Sequence, residues 1–215
     1  MSRRYDCSDT LDRGLGLREA ASAVKRGELV VLPTDTLYGI GGDAFSPHAV
    51  KALLDAKGRG RNMPSPVLVG SPTTLHGLVT GFPELGWELV DAFWPGALTI
   101  VAFHQPSLQW DLGETRGTVA VRMPLHPVAI ELLNETGPMA VSSANRSGNP
   151  PATTVDQAVD QLGESVSVYL DGGTCPATVP SSIIDLTAGR PRLLREGALS
   201  LETLREVVPD LEGVN

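Results

Sequence analysis

The sequence is short of the residues that usually announce chemistry or a compartment. It has two cysteines, Cys7 and Cys175, too few for a disulfide framework, and no Cys/His spacing resembles a zinc site. It has no run of the ~20 apolar residues that cross a membrane and no apolar core after Met1–Asp6. Neither a membrane span nor a signal peptide is therefore expected, and a reducing cytoplasm fits best. Positive charge is also scarce: 17 Lys and Arg stand against 25 Asp and Glu, a net charge of -8. That balance argues against tight non-specific binding of nucleic acid, which draws on many cation–phosphate contacts. Any RNA contact would be local or shared with a partner. The four histidines, His48, His76, His104 and His126, lie next to no evident nucleophile, so no catalytic triad is legible. Gly39-Ile40-Gly41-Gly42 lacks the spacing of a dinucleotide fingerprint, and there is no Walker A string.

What is present is an ordinary globular composition, 41% apolar and 20% charged over 215 residues, enough for one buried core. Residues 1–15 are polar and read as a loose arm, 16–208 as a single domain and 209–215 as a tail. Leu17, Ala20, Ala21 and Val24 recur at helical spacing with Gly27 as a stop. Leu29–Leu32 reads as a buried strand that empties into Pro33–Gly42, rich in hydroxyls and glycine. Such a segment beyond a strand end suits a ligand, or simply a turn. Ser46 and Pro47 open a helix that runs to Lys57.

Pro66–Val69, Ala97–Phe103, Thr118–Arg122, Met139–Val141 and Val166–Leu170 predict further strands. Helices are predicted around Leu85–Phe93, His126–Thr136 and Val155–Leu162, and after Ser200. Ile183–Leu186 and Arg192–Arg195 predict a closing pair of strands. The alternation implies an α/β fold: one twisted mixed sheet flanked by helices, with a concave ligand cleft.

Lys57-Gly58-Arg59-Gly60-Arg61 packs three cations into five residues. It is either a solvated turn or a trap for a polyanion such as a nucleotide triphosphate. The helix dipole accounts for a cation at Lys57, though not for all three. Arg122 ends a strand, where it offers a fork to a carboxylate or pairs with an acidic neighbour. Tyr38 either stacks on a base or closes the core.

Six segments occur in one order: Pro-Thr-Asp-Thr-Leu-Tyr-Gly-Ile-Gly (33–41), Ala-Lys-Gly-Arg (56–59), Phe-Trp-Pro-Gly-Ala-Leu-Thr (93–99), Val-Ala-Val-Arg-Met-Pro-Leu-His-Pro (119–127), Ser-Ser-Ala-Asn-Arg-Ser-Gly (142–148) and Leu-Leu-Arg-Glu-Gly (193–197). Together they resemble the YrdC/Sua5 family of threonylcarbamoyl-adenylate synthases, over roughly residues 17 to 208. The chain is expected to be the short, single-domain form.

The resemblance implies condensation of L-threonine, bicarbonate and ATP to threonylcarbamoyl-AMP and pyrophosphate, with Mg2+ accompanying the ATP. A separate tRNA threonylcarbamoyl-transferase complex would then modify adenosine 37. It also implies the site. The family's Lys-x-Arg and Ser-x-Asn pattern falls on Lys57, Arg59, Ser143 and Asn145. Threonine would meet Thr34, Arg122, Ser143 and Ser182, with Ser181 the alternative to Ser182. ATP would meet Lys57, Thr118, Asn145, Thr153 and Arg195. A histidine that some relatives use toward threonine is replaced here by Gly70. The alternative function is a non-catalytic RNA-binding or ribosome-assembly protein, which the acidic balance disfavours.

Overall fold

Strands form where β-branched and apolar residues alternate, and helices start where a hydroxyl or carboxylate can cap them. The computed structural model describes residues 2–214. The chain runs β1 (Arg3–Asp6), α1 (Thr10–Lys25), β2 (Val30–Leu32), β3 (Gly39–Asp43), α2 (Pro47–Lys57), β4 (Val67–Leu68), α3 (Leu75–Leu78), α4 (Glu84–Phe93), β5 (Leu98–Phe103), β6 (Thr118–Arg122), α5 (Pro127–Thr136), β7 (Met139–Ser143), α6 (Val155–Leu162), β8 (Val168–Asp171), β9 (Ser182–Asp185), β10 (Arg192–Arg195) and α7 (Leu201–Arg205). Asp9, Ser46, Thr154 and Ser200 each accept a backbone N–H at a helix start, satisfying donors the helix itself cannot.

All ten strands share one mixed sheet in the order β1-β8-β2-β3-β7-β4-β6-β5-β9-β10. Side chains alternate between its faces, as a pleated strand requires. On β7, Met139 and Val141 join a core with α1 and α5 (Ala20, Val24, Val128, Leu132). Ala140 faces the larger core, under Leu53 of α2, Leu89 of α4 and Ala158 of α6. No described helix is long and apolar enough to cross a membrane.

Three expectations need correction. The arm expected over residues 1–15 is instead β1 and the first turns of α1. Strand β1 pairs in parallel with β8, Arg3 opposite Val168 and Tyr5 opposite Leu170, so a polar sequence is recruited by a distant partner. The expected tail is tied down as well: Leu211 is buried, and Glu212 bridges to Arg192. Finally, Gly39–Asp43 is a strand rather than a loop, antiparallel to both β2 and β7.

Glycine is what makes β3 possible. A Cβ on Gly41 would stand 2.4 Å from the Ala140 carbonyl oxygen and 2.6 Å from Val141 Cγ2. The absent side chain lets β3 and β7 close on one another. Gly41→Ala should therefore cost about 1–3 kcal/mol, read as a lower urea midpoint. Gly77→Ala, where a Cβ would meet nothing within 4 Å, should stay close to the parent value. A parental midpoint in Gly41→Ala would contradict this account of the β3–β7 contact.

Candidate functional site

Helix α2 ends on Gly58, whose left-handed backbone (φ 63°) lets the chain turn out of the helix directly after Lys57. Lys57 itself turns inward and is 3% exposed. Its Nζ donates to the Ser143 carbonyl at 2.5 Å, the Asn145 carbonyl at 2.7 Å and Asn145 Oδ1 at 3.5 Å. The ammonium is thus wrapped in oxygen, and not one of its partners is a carboxylate. Burial, helped by neighbouring Arg59, pushes its pKa down to about 8; the three oxygens favour the charged form and work against that fall. Asn145 is held from its other end by donating Nδ2 to the Arg146 and Asn149 carbonyls.

Arg59 donates Nη1 to Ser142 Oγ at 3.2 Å, and its buried Nε has no partner. Burial lowers this guanidinium too. Ser65, 4% exposed, has an equally unpartnered hydroxyl. The β4–β7 register sets Val67 opposite Ala140, which carries Ser65 opposite Ser142 and onto the same face. Sequence reasoning passed Ser65 over; its place just before a strand proline was the one available signal.

A second group surrounds Arg122 at the end of β6. The side chain is 7% exposed. Its Nε donates to the Gly96 carbonyl at 2.8 Å, Nη1 to Thr36 Oγ1 at 2.9 Å and Nη2 to Asp35 Oδ1 at 2.6 Å. The turn presenting Asp35 and Thr36 is built by Thr34, which donates Oγ1 to the Leu37 carbonyl and accepts from the Thr36 and Leu37 amides. The Thr34 hydroxyl is therefore engaged within its own turn. The pairing of Asp35 with Arg122 was not read from sequence, nor was a role for His126, whose Nδ1 is buried without a partner.

Arg195 on β10 donates Nε to the Ser181 carbonyl and Nη2 to Ser181 Oγ; burial and then the Arg122 charge lower it. Ser181 Oγ lies 2.7 Å from Thr99 Oγ1. Ser182, fully buried, donates to the Leu199 carbonyl and accepts from the Gly197 and Leu199 amides. Its hydroxyl has no capacity left for a ligand, so of the two neighbours Ser181 is the one that joins the arginine group.

The segment 34–38 links the two groups. Thr36 and Asp35 meet Arg122, while Tyr38 exchanges backbone hydrogen bonds with Ala144 and Ala152 in the loop after β7. The Tyr38 hydroxyl donates to the Gly173 carbonyl at 2.6 Å, closing the core there. Thr153 stands at the edge of this region: its carbonyl accepts from the Cys175 amide and its hydroxyl donates to Gln157. Thr118 stands apart, at the opposite end of β6 from Arg122, with its hydroxyl on the Thr115 carbonyl. Arg61, the last cation of the pentad, is exposed and spent on a two-pronged pair with Asp111. A cavity of about 730 Å³ near Arg190, Arg205 and Leu211 is lined by none of the candidate residues.

Lys57 and Arg122 are buried and Arg59 is half-buried, while Arg195 is exposed; Lys57 lies beside Arg59 and Arg195 beside Arg122, in a chain of net charge -8. Only Arg122 has a carboxylate partner among them. Uncompensated cations of this kind favour an anion of high charge. Among the described residues no three His, Cys, Asp or Glu side chains gather to hold a metal ion.

Comparison with known proteins gives the same direction. Over 97% of its length the chain is 57% identical to a protein of Mycobacterium tuberculosis named putative threonylcarbamoyl-AMP synthase, covering 96% of that protein. The crystal structure of Pyrococcus abyssi Sua5 complexed with L-threonine superposes with a TM-score of 0.91 at 34% identity, over 99% of this chain and 62% of that one. Escherichia coli YciO shares the fold, with a TM-score of 0.84 at 23% identity over 95% of this chain and all of that one. The family model Sua5_yciO_yrdC, described as "Telomere recombination", matches residues 22–197. The chain belongs to the Sua5/YciO/YrdC family.

Proposed function

We propose that this protein is a threonylcarbamoyl-AMP synthase that joins L-threonine, bicarbonate and ATP and releases pyrophosphate. The observation that carries the reading is two pairs of cations, Lys57 with Arg59 and Arg122 with Arg195, of which only Arg122 has a carboxylate partner. The mycobacterial relative's name supports the same activity.

In this reading Arg122 receives the threonine carboxylate, Thr34 shapes the turn beside it with a hydroxyl already saturated, and Ser143 and the 181–182 pair stand around the rest of the amino acid. Ser181 serves better than Ser182, whose hydroxyl is saturated. Lys57, Arg59, Asn145 and Arg195 take the nucleotide, with Thr153 and Thr118 further out. The threonine amine forms a C–N bond to bicarbonate with loss of water, or to CO2 with loss of a proton, to give a carbamate. A carbamate oxygen then attacks the α-phosphorus of ATP, and the bond to the β,γ-pyrophosphate breaks.

No enzyme nucleophile is required. Catalysis is alignment plus neutralisation of charge on the phosphates, which a cluster of cations and amides supplies. Mg2+ would be held by phosphate oxygens and water, where it screens the triphosphate. The product would pass in the cytoplasm to a tRNA threonylcarbamoyl-transferase complex. The acidic net charge suits at most a weak tRNA contact of its own.

Pyrophosphate should appear only when ATP, threonine and bicarbonate are all present; release without threonine would instead indicate a general nucleotidase. Lys57→Ala and Arg59→Ala should each lower that release by on the order of 100-fold, since each leaves phosphate charge uncompensated. Lys57 also predicts a pH effect. Its free-state pKa of about 8 should rise when phosphates arrive, so nucleotide binding should take up a proton above pH 8 and weaken as pH climbs. Calorimetry in buffers of different ionisation heat reads this uptake, and Lys57→Gln should abolish it.

A further inference from the structure

The guanidinium of Arg122 has five N–H groups in a fixed plane. Three are committed: Nε–H to the Gly96 carbonyl, one Nη1–H to Thr36 and one Nη2–H to Asp35. One N–H remains on each terminal nitrogen, the pair a carboxylate takes in two-pronged fashion. Which way that pair faces depends on the three committed bonds. Asp35 makes the shortest of them, and both partners of the ion pair are nearly buried, with side chains 8% and 14% exposed.

Asp35 is itself fixed. The same Oδ1 accepts the Leu125 amide at 2.9 Å, and the backbone on either side is closed by the Thr34 hydroxyl. The carboxylate therefore cannot follow Arg122 if the arginine moves; the arginine must come to it. Its charge also opposes the burial that lowers the Arg122 guanidinium.

We infer that Asp35 is the positioning residue of the amino-acid site, aiming the two spare N–H groups of Arg122 at the carboxylate of an incoming α-amino acid. It acts through Arg122 and does not touch the substrate. The inference rests on the threonine reading above.

A double-mutant cycle on the intact protein tests it, with threonine affinity and nucleotide affinity measured separately by calorimetry. Asp35→Asn keeps an acceptor for Leu125 but loses the charge. It should weaken threonine binding at least tenfold, leave ATP binding within about twofold, and raise KM for threonine more than it lowers kcat. In an Arg122→Lys background the same Asp35→Asn change should add little, because the group it acts through is gone. Asp35→Glu, which restores the charge, should recover part of the threonine affinity. Equal losses for threonine and ATP would mark Asp35 as a merely structural residue, and additive losses in the double mutant would show that it does not act through Arg122. Either result overturns the inference. Absence of threonine binding in the parent protein would instead overturn the functional reading beneath it.

Discussion

A guanidinium taken out of water has to be met by hydrogen bonds on every side, and much of the molecule is arranged by that demand at Arg122. Four stretches of chain converge on this one cation. The turn of 34–36 brings Asp35 and Thr36, the turn before β5 brings the Gly96 carbonyl, β6 brings the arginine itself, and Leu125 fixes Asp35 from beyond it. Removing one partner of a buried pair typically costs about 3–5 kcal/mol because the other is left charged and unpaired. The mutual dependence keeps the 33–38 segment pressed toward β6 while its far end, at Tyr38, stays bonded to the loop after β7.

Lys57 solves the same problem in the opposite way. It is even less exposed than Arg122, yet it is wrapped by carbonyl oxygens, which carry partial charge and cannot neutralise it. Arg59 and Arg195 likewise lean on a hydroxyl or a carbonyl. One cation is balanced and three are left with surplus positive charge, within a protein that is acidic as a whole. An amino-acid carboxylate carries one charge and a nucleotide triphosphate several, so the uneven balance suits the two substrates proposed above.

Much of this was legible in the sequence, and where it was not the cause can be named. Helix starts at Ser46 and Ser200 follow from local chemistry and stand where expected. So do the strands at Thr118–Arg122 and Arg192–Arg195. Strand β3 was hidden because glycine disfavours strands by itself; it is a strand here because β7 approaches closer than any side chain allows. The pentad was legible as a charge cluster, but its division into inward Lys57, half-buried Arg59 and spent Arg61 depends on Gly58 and on Asp111, which lies 50 residues away. The ion pair of Asp35 could not be read because its partner, Arg122, lies 87 positions later. The choice between Ser181 and Ser182 stayed open by one residue in the sequence, because alternation along the chain turns a one-residue slip in a motif into the opposite face.

Strand β1 has a consequence for how the molecule is made. Arg3 pairs with Val168, so β1 leaves the ribosome long before the strand it pairs with. At roughly 5–20 residues per second the wait is on the order of ten to thirty seconds. During that time Arg3–Asp6 has no sheet to join. Its two arginines and its aspartate keep the waiting segment soluble and repel stray pairing with other nascent chains, as edge-strand charges do. Arg4 later closes on Asp156 and Asp171. The polarity that disguised β1 as a loose arm is thus what lets it survive until β8 arrives.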